Sequence, residues 1–145
     1  MGRKILFITT DQQRFDSLGC NGNRFCRTPN IDALAKAGAQ VPAVNQCHFS
    51  PLRHDLRLRE LCRERGIVFE AYSPLEQGVG PRNRTVVEVA ERVGRTPGQV
   101  LIRWAIQHGT VVIPKSSRRE RIEENAQVFD FELDAAAMAA LDALG

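Results

Sequence analysis

Short apolar runs rich in β-branched residues recur along this chain, each followed by a stretch where apolar residues return at helical spacing. This alternation constrains the fold more than any other feature. The runs are KILFITT at 4–10, VPAVNQ at 41–46, IVFEAY at 67–72 and TVVI at 110–113. Runs of this length, closed by polar or turn residues, read as buried strands. Pro29 and Asn30 open the first helical stretch, which carries Ile31, Leu34 and Ala35 on one face and stops at Gly38. The second, 55–65, turns Leu58, Leu61 and Cys62 inward and ends at Gly66. Asn83 or Thr85 can cap a third, with Val86, Val89, Ala90 and Val93 ahead of Gly94. Thr96 and Pro97 supply an N-cap and a first-turn proline for a helix carrying Val100, Leu101, Trp104 and Ala105. Phe129, Phe131 and Leu133 lead to a last helix with Met138, Leu141 and Leu144 at core spacing. Strands that alternate with helices lie parallel, joined by crossovers. The expectation is therefore a single α/β domain over 1–145, built from four successive βα units around a parallel sheet.

Totals set the outer bounds. With 145 residues, 43% hydrophobic and 26% charged, the chain has the balance of a soluble globular domain. A net charge of +3 without an aromatic platform argues against nucleic acid as a partner. No apolar run approaches the ~20 residues of a membrane helix. The first ten residues lack the apolar core and cleavage site of a signal peptide, so no membrane partner and a cytoplasmic location are expected. Cys20, Cys26, Cys47 and Cys62 form no C-x-x-C pair and read as reduced, partly buried thiols without a function.

Ligand chemistry concentrates in VVIPKSSRRERIEEN at 111–125. It reads as strand, turn and helix, with Ser116 and Ser117 placed to cap the helix start and with Lys115, Arg118, Arg119 and Arg121 close by. Helix N-termini attract anions, so the run suits a phosphate. Taken alone, a run of this kind reads first as a solvated basic turn.

The segment ITTDQQRFDSLGCNGNRFCRTPNIDALAKAG resembles the N-terminal signature of the sulfatase and phosphonate monoester hydrolase group of the alkaline phosphatase superfamily. The resemblance covers 1–40 and implies that Asp11 stands at a metal-ligand position. Gln12 occupies a place where many members carry a second acid, and a divalent cation wants several oxygens. The nucleophile motif C-x-P-S-R expected after the helix is met only by Cys47, His48, Phe49, Ser50, Pro51, Leu52 and Arg53, at the wrong spacing.

PAVNQ, AYSPL and TPGQVLIRWAIQHGTVVIPKSSRRERIEENAQVFDFEL, in that order, resemble the C-terminal half of an aldo-keto reductase, over 41–145. That family is a (β/α)8 barrel holding a nicotinamide dinucleotide, usually NADPH, across the C-terminal ends of its strands. The resemblance implies that Gln46 bonds the nicotinamide carboxamide and Tyr72 stacks on its ring. Ser73 and Leu75 would approach the pyrophosphate. Lys115 and Arg121 would grip the adenosine 2′-phosphate with Ser116 and Ser117, while Glu124 and Asn125 would meet the adenine. The family's catalytic tyrosine, lysine, aspartate and histidine come from the other half of the barrel, and the only tyrosine here is Tyr72. No catalytic residue is therefore assigned. His48, His54 and His108 match no tetrad position or metal spacing, and His108 reads as a surface residue interacting with a helix dipole.

Together the two resemblances describe a chimera joined near residues 40 and 41, with a sulfatase-like βα segment ahead of half a (β/α)8 barrel. Four parallel strands leave two open edges. An open three-layer sheet and a homodimer that closes a barrel are the two ways out. The functional expectation is weak binding of NADP(H), or of its adenosine 2′-phosphate part, without independent catalysis. A folded chimera with no ligand, and an NADPH-dependent oxidoreductase restored by oligomerisation, are the alternatives.

Overall fold

The computed structural model describes residue 20, residues 24–25, residues 27–37 and residues 43–145. The chain divides into two compact units, Met1–Ala43 and Val44–Gly145. In the first, helix α1 spans Pro29–Ala37. Its start is tied by Asp32, whose Oδ1 accepts from Thr28 Oγ1 at 2.8 Å and from the Cys20 amide at 2.6 Å. The strand read at 4–10 and the metal position Asp11 lie outside the described residues.

The second unit holds a parallel sheet of three described strands in sequence order: β1 (Val44–His48), β2 (Val68–Tyr72) and β3 (Val111–Val112). Val44 pairs with Val68 and His48 with Tyr72, while Glu70 and Ala71 pair with Val111 and Val112. The α/β fold and the parallel sheet match the sequence reading. β3 is shorter than the run 110–113 because the Thr110 amide and hydroxyl both donate to Ala105 O, at 3.3 and 2.8 Å, closing the preceding helix. Strand periodicity splits the sheet. Phe69 and Ala71 are buried and Cys47 and Val112 pack against the core, whereas Val44, Tyr72, Val111 and Ile113 are exposed on alternate positions.

Helix α2 (Leu56–Glu64) starts where Asp55 accepts from the Leu58 amide at 2.9 Å. Helix α3 (Arg84–Val93) is capped by Asn83 and stopped by Gly94 at φ 65°. Helix α4 (Pro97–Gln107) has a full capping box: Thr96 Oγ1 accepts from the Gln99 amide, and Gln99 Oε1 accepts from the Thr96 amide at 3.1 Å. Every residue from Gln99 to Ala105 is buried, so α4 is wrapped on all sides and forms the centre of the core. Trp104 stacks on Phe49 at 4.8 Å, and Phe49 meets Phe69 edge-on at 5.2 Å. Helices α5 (Arg119–Ala126) and α6 (Ala135–Asp142) complete the unit. Among the described residues no helix is long and apolar enough to cross a membrane.

His108 departs from its reading as a surface residue on a helix dipole. Its Nε2 lies 2.9 Å from Asp142 Oδ1, which also accepts from Trp104 Nε1 at 2.7 Å, and its ring packs edge-on against Trp104 at 4.5 Å. An indole buried at 0% exposure needs an acceptor, and α6 supplies one.

Candidate functional site

Parallel strands deliver their C-terminal residues to one end of the sheet, and a cleft opens at the exits of β1 and β2. His48, Leu52, Arg53, Tyr72, Ser73 and Glu76 line it, together with Gln77 and Val79. Tyr72, 42% exposed, leans on the His48 ring at 5.3 Å, as the register pairing of His48 with Tyr72 dictates. Gln46 stands two residues before His48 on the same strand, and its Nε2 donates to the Glu70 carboxylate across the ladder. Leu75 turns the other way and packs against the core. The cleft thus gathers Tyr72 and Ser73, with Gln46 near by on the ladder. Its lining does not include Lys115, Ser116, Ser117, Arg121, Glu124 or Asn125.

Those six residues lie on the turn and helix after β3. Ser116 and Ser117 do not cap α5. The cap position is Arg118, which has no side-chain capping bond, and Ser116 Oγ instead accepts from the Arg118 amide at 3.2 Å. The hydroxyl stabilises the turn one step before the helix because a single residue separates it from the cap. Arg119 pairs with Glu123 at 2.8 Å, whereas among the described residues Lys115, Arg118 and Arg121 form no ion pair. Lys115, Ser117 and Arg121 are exposed. Glu124 is already engaged: Thr96 Oγ1 donates to its carboxylate, and its backbone carbonyl accepts from Gln99 Nε2 at 3.3 Å.

Other reactive side chains sit elsewhere. Cys47 Sγ donates to Asn45 Oδ1 at 3.3 Å, and Asn45 Nδ2 donates to Cys62 Sγ at 3.4 Å, so one amide bridges two free thiols. Burial pushes the Cys47 thiol up from its ordinary value, and the neighbouring Cys62 and Asp55 add to the effect. No group of three or more acidic, histidine or cysteine side chains able to hold a metal occurs among the described residues.

Comparison with known proteins decides the family. The profile of the aldo/keto reductase family matches residues 26–145. The chain belongs to the aldo/keto reductase family. The match begins upstream of residue 41, where the sequence resemblance was placed. An aldo-keto reductase of Mycolicibacterium vanbaalenii is 54% identical over 115 residues, which are 79% of this chain and 41% of that protein. Glyoxal reductase of Bacillus subtilis is 43% identical over 79% of this chain and 42% of its own length. Among solved structures, Gox0644 in its apo form superposes with a TM-score of 0.69 at 38% identity, covering 79% of this chain and 42% of that one. A variant of Gox0644 in complex with NADPH gives 0.68 at 36% identity, covering 81% and 44%. The chain thus spans about two-fifths of the length of these aldo/keto reductases, and its fold matches part of their barrel.

Family membership gives the exposed sheet face a meaning. In a closed aldo/keto reductase barrel, one face of each strand turns to the interior. Here Val44, Tyr72, Val111 and Ile113 on that face are open. The sequence reading gave no cofactor role to four polar side chains of the cleft: His48, Arg53, Glu76 and Gln77. His48 was within reach of pattern reasoning, because it shares strand parity with Gln46. Arg53 and Glu76 were not, since only loop geometry brings them to the strand exits.

Proposed function

We propose that the chain binds NADP(H), or its adenosine 2′-phosphate part, weakly and without turnover of its own. The observation that carries this reading is the first turn of α5, which no side chain caps and beside which Lys115, Arg118 and Arg121 are unpaired among the described residues. Open N–H groups with free cations are what a phosphate dianion requires, and each well-formed charge-assisted bond contributes roughly 1.5–3 kcal/mol. In this reading Lys115 and Arg121 grip the 2′-phosphate, Ser116 and Ser117 donate to it, and Glu124 and Asn125 meet the adenine. Ser73 and Leu75 border the pyrophosphate, and Tyr72 stacks on the nicotinamide. Gln46 exchanges Glu70 for the carboxamide. A relative solved with NADPH supports NADP(H) as the kind of ligand. When bound, the nicotinamide supplies hydride chemistry, while these residues bind and orient it.

We also read residues 1–40 as a sulfatase-like βα segment joined to the reductase half, with Asp11 at the metal position of the other family. The division of the chain after Ala43 supports a junction in this region. A second reading, an oxidoreductase completed by a second copy of the chain, is favoured by the open sheet face.

Titration calorimetry with NADPH and NADH tests the main reading. NADPH is expected to bind at least tenfold more tightly, and Lys115→Ala with Arg121→Ala is expected to erase the preference, as losing two phosphate contacts requires. Equal affinity for the two nucleotides, or heat from neither, overturns it. The same titration on a chain lacking 1–40 is expected to give unchanged affinity, and a loss would overturn the two-segment reading.

A further inference from the structure

The segment leaving β2 carries three non-glycine residues in the left-handed region: Ser73 at φ 51°, Glu76 at φ 47° and Gln77 at φ 53°, followed by Gly78 at φ 91°. Such a cluster persists only where the surroundings overdetermine it. Its two ends are fixed. Pro74 and Gly80 are buried, and a Cβ on Gly80 would stand 3.0 Å from Leu101 Cδ1 and 3.3 Å from Leu75 O, so this end lies flat on α4. Between them Leu75 packs into the core, while Gln77 and Val79 stay exposed.

One side chain of the strap turns inward and meets a rigid post. Glu76 Oε1 accepts from Ser50 Oγ and lies 3.4 Å from His48 Nε2. Ser50 is 1% exposed, and its backbone exchanges two hydrogen bonds with Arg53, at 3.1 and 3.0 Å, so it has little freedom to move. His48 Nδ1 is buried with no partner. Ser50 at the exit of β1 therefore donates to one carboxylate oxygen of the segment after β2, and the His48 ring stands beside the same oxygen.

We propose that Glu76 is a positioning residue that clasps residues 73–78 against the exit of β1, with Ser50 as its donor and the His48 ring beside it. The clasp holds the left-handed backbone in the shape that presents Ser73 and the main chain of Leu75 to the pyrophosphate of a dinucleotide. The ligand in this statement rests on the cofactor reading above, but the clasp itself does not. Because the pyrophosphate is common to NADPH and NADH, the clasp serves both equally, unlike the basic turn at Lys115.

The test uses the full chain, with Glu76→Ala, Glu76→Gln and Ser50→Ala. Without nucleotide, hydrogen exchange at the amides of 76–79 is expected to accelerate about tenfold in Glu76→Ala, the scale of one lost bond to a charged acceptor. Ser50→Ala, which removes a donor instead of the acceptor, is expected to accelerate the same amides. Glu76→Gln keeps an acceptor for Ser50 and is expected to restore most of the protection. In titrations, Glu76→Ala is expected to weaken NADPH and NADH by the same factor and leave their ratio intact. Unchanged exchange in Glu76→Ala overturns the clasp. A loss confined to NADPH overturns its link to the pyrophosphate. A wild-type chain that binds neither nucleotide overturns the cofactor reading and the ligand given to the strap, and the exchange data then decide the clasp alone.

Discussion

Cys47 shows how one residue is set by neighbours that its own segment does not reveal. It faces the core side of β1, with Asn45 beside it and Cys62 of α2 beyond, and burial is the first cause of its raised pKa. Burial disfavours the thiolate, so Cys47 is expected to react with iodoacetamide more slowly than a free thiol at mildly alkaline pH. Its rate is expected to keep rising where the free thiol has levelled off, which mass spectrometry of the alkylated peptide measures. The sign for stability follows. A pKa raised in the folded state means the contribution is whole below the unfolded value and is lost as pH climbs through the folded one. The sequence named Cys47 as a reduced, partly buried thiol, and that much was legible because no other cysteine stands at C-x-x-C spacing from it. The bridge through Asn45 was not, since it joins residues 17 positions apart on two elements.

Helix α4 organises the elements around it through a stripe at four-residue spacing. Gln99 Nε2 donates to Gln127 O at 2.9 Å, Arg103 Nη1 to Val128 O at 3.1 Å and Gln107 Nε2 to Leu133 O at 3.0 Å, while Gln107 Oε1 accepts from the Leu133 amide at 2.7 Å. Three polar side chains on one helix face thereby satisfy the backbone between α5 and α6, which has no ladder of its own. Thr96 adds a link at the helix start, because its hydroxyl caps α4 and donates to Glu124 of α5. Thr96→Ala is expected to lower stability by about 1–2 kcal/mol in urea unfolding, with Thr96→Ser close to wild type. Periodicity gave the apolar face of α4, namely Val100, Leu101, Trp104 and Ala105. It could not give the polar stripe a role, because a Gln or Arg at helical spacing reads as solvated until a partner backbone is placed against it.

At the scale of the molecule the open question is what meets the exposed sheet face. Parallel sheets are ordinarily covered on both faces, and β1 and β3 bound the described sheet as edges. Val44 at 52%, Val111 at 48% and Ile113 at 41% exposure leave apolar surface there, around the Gln46–Glu70 pair. Under the two-copy reading, sedimentation is expected to show a dimer that Val111→Lys with Ile113→Lys reduces to monomer. Turnover of a simple aldehyde with NADPH should then follow dimer concentration. A monomer at high protein concentration sinks that reading.

The sequence by itself determined the βα rhythm, the parallel sheet, most helix limits and the kinship with aldo/keto reductases. These are written in local spacing, in Asn83, Gly94 and the Thr96-Pro97 pair, and in blocks such as AYSPL. Tertiary structure alone decided that Ser116 steadies a turn and leaves the start of α5 uncapped, and that His108 shares Asp142 with Trp104. It also decided that Glu76 reaches back to Ser50 and His48. The reason is physical: spacing fixes which way a side chain points along its own element, but a polar atom takes the partner that folding brings within about 3 Å. That partner belongs to another element, in a register no single segment encodes.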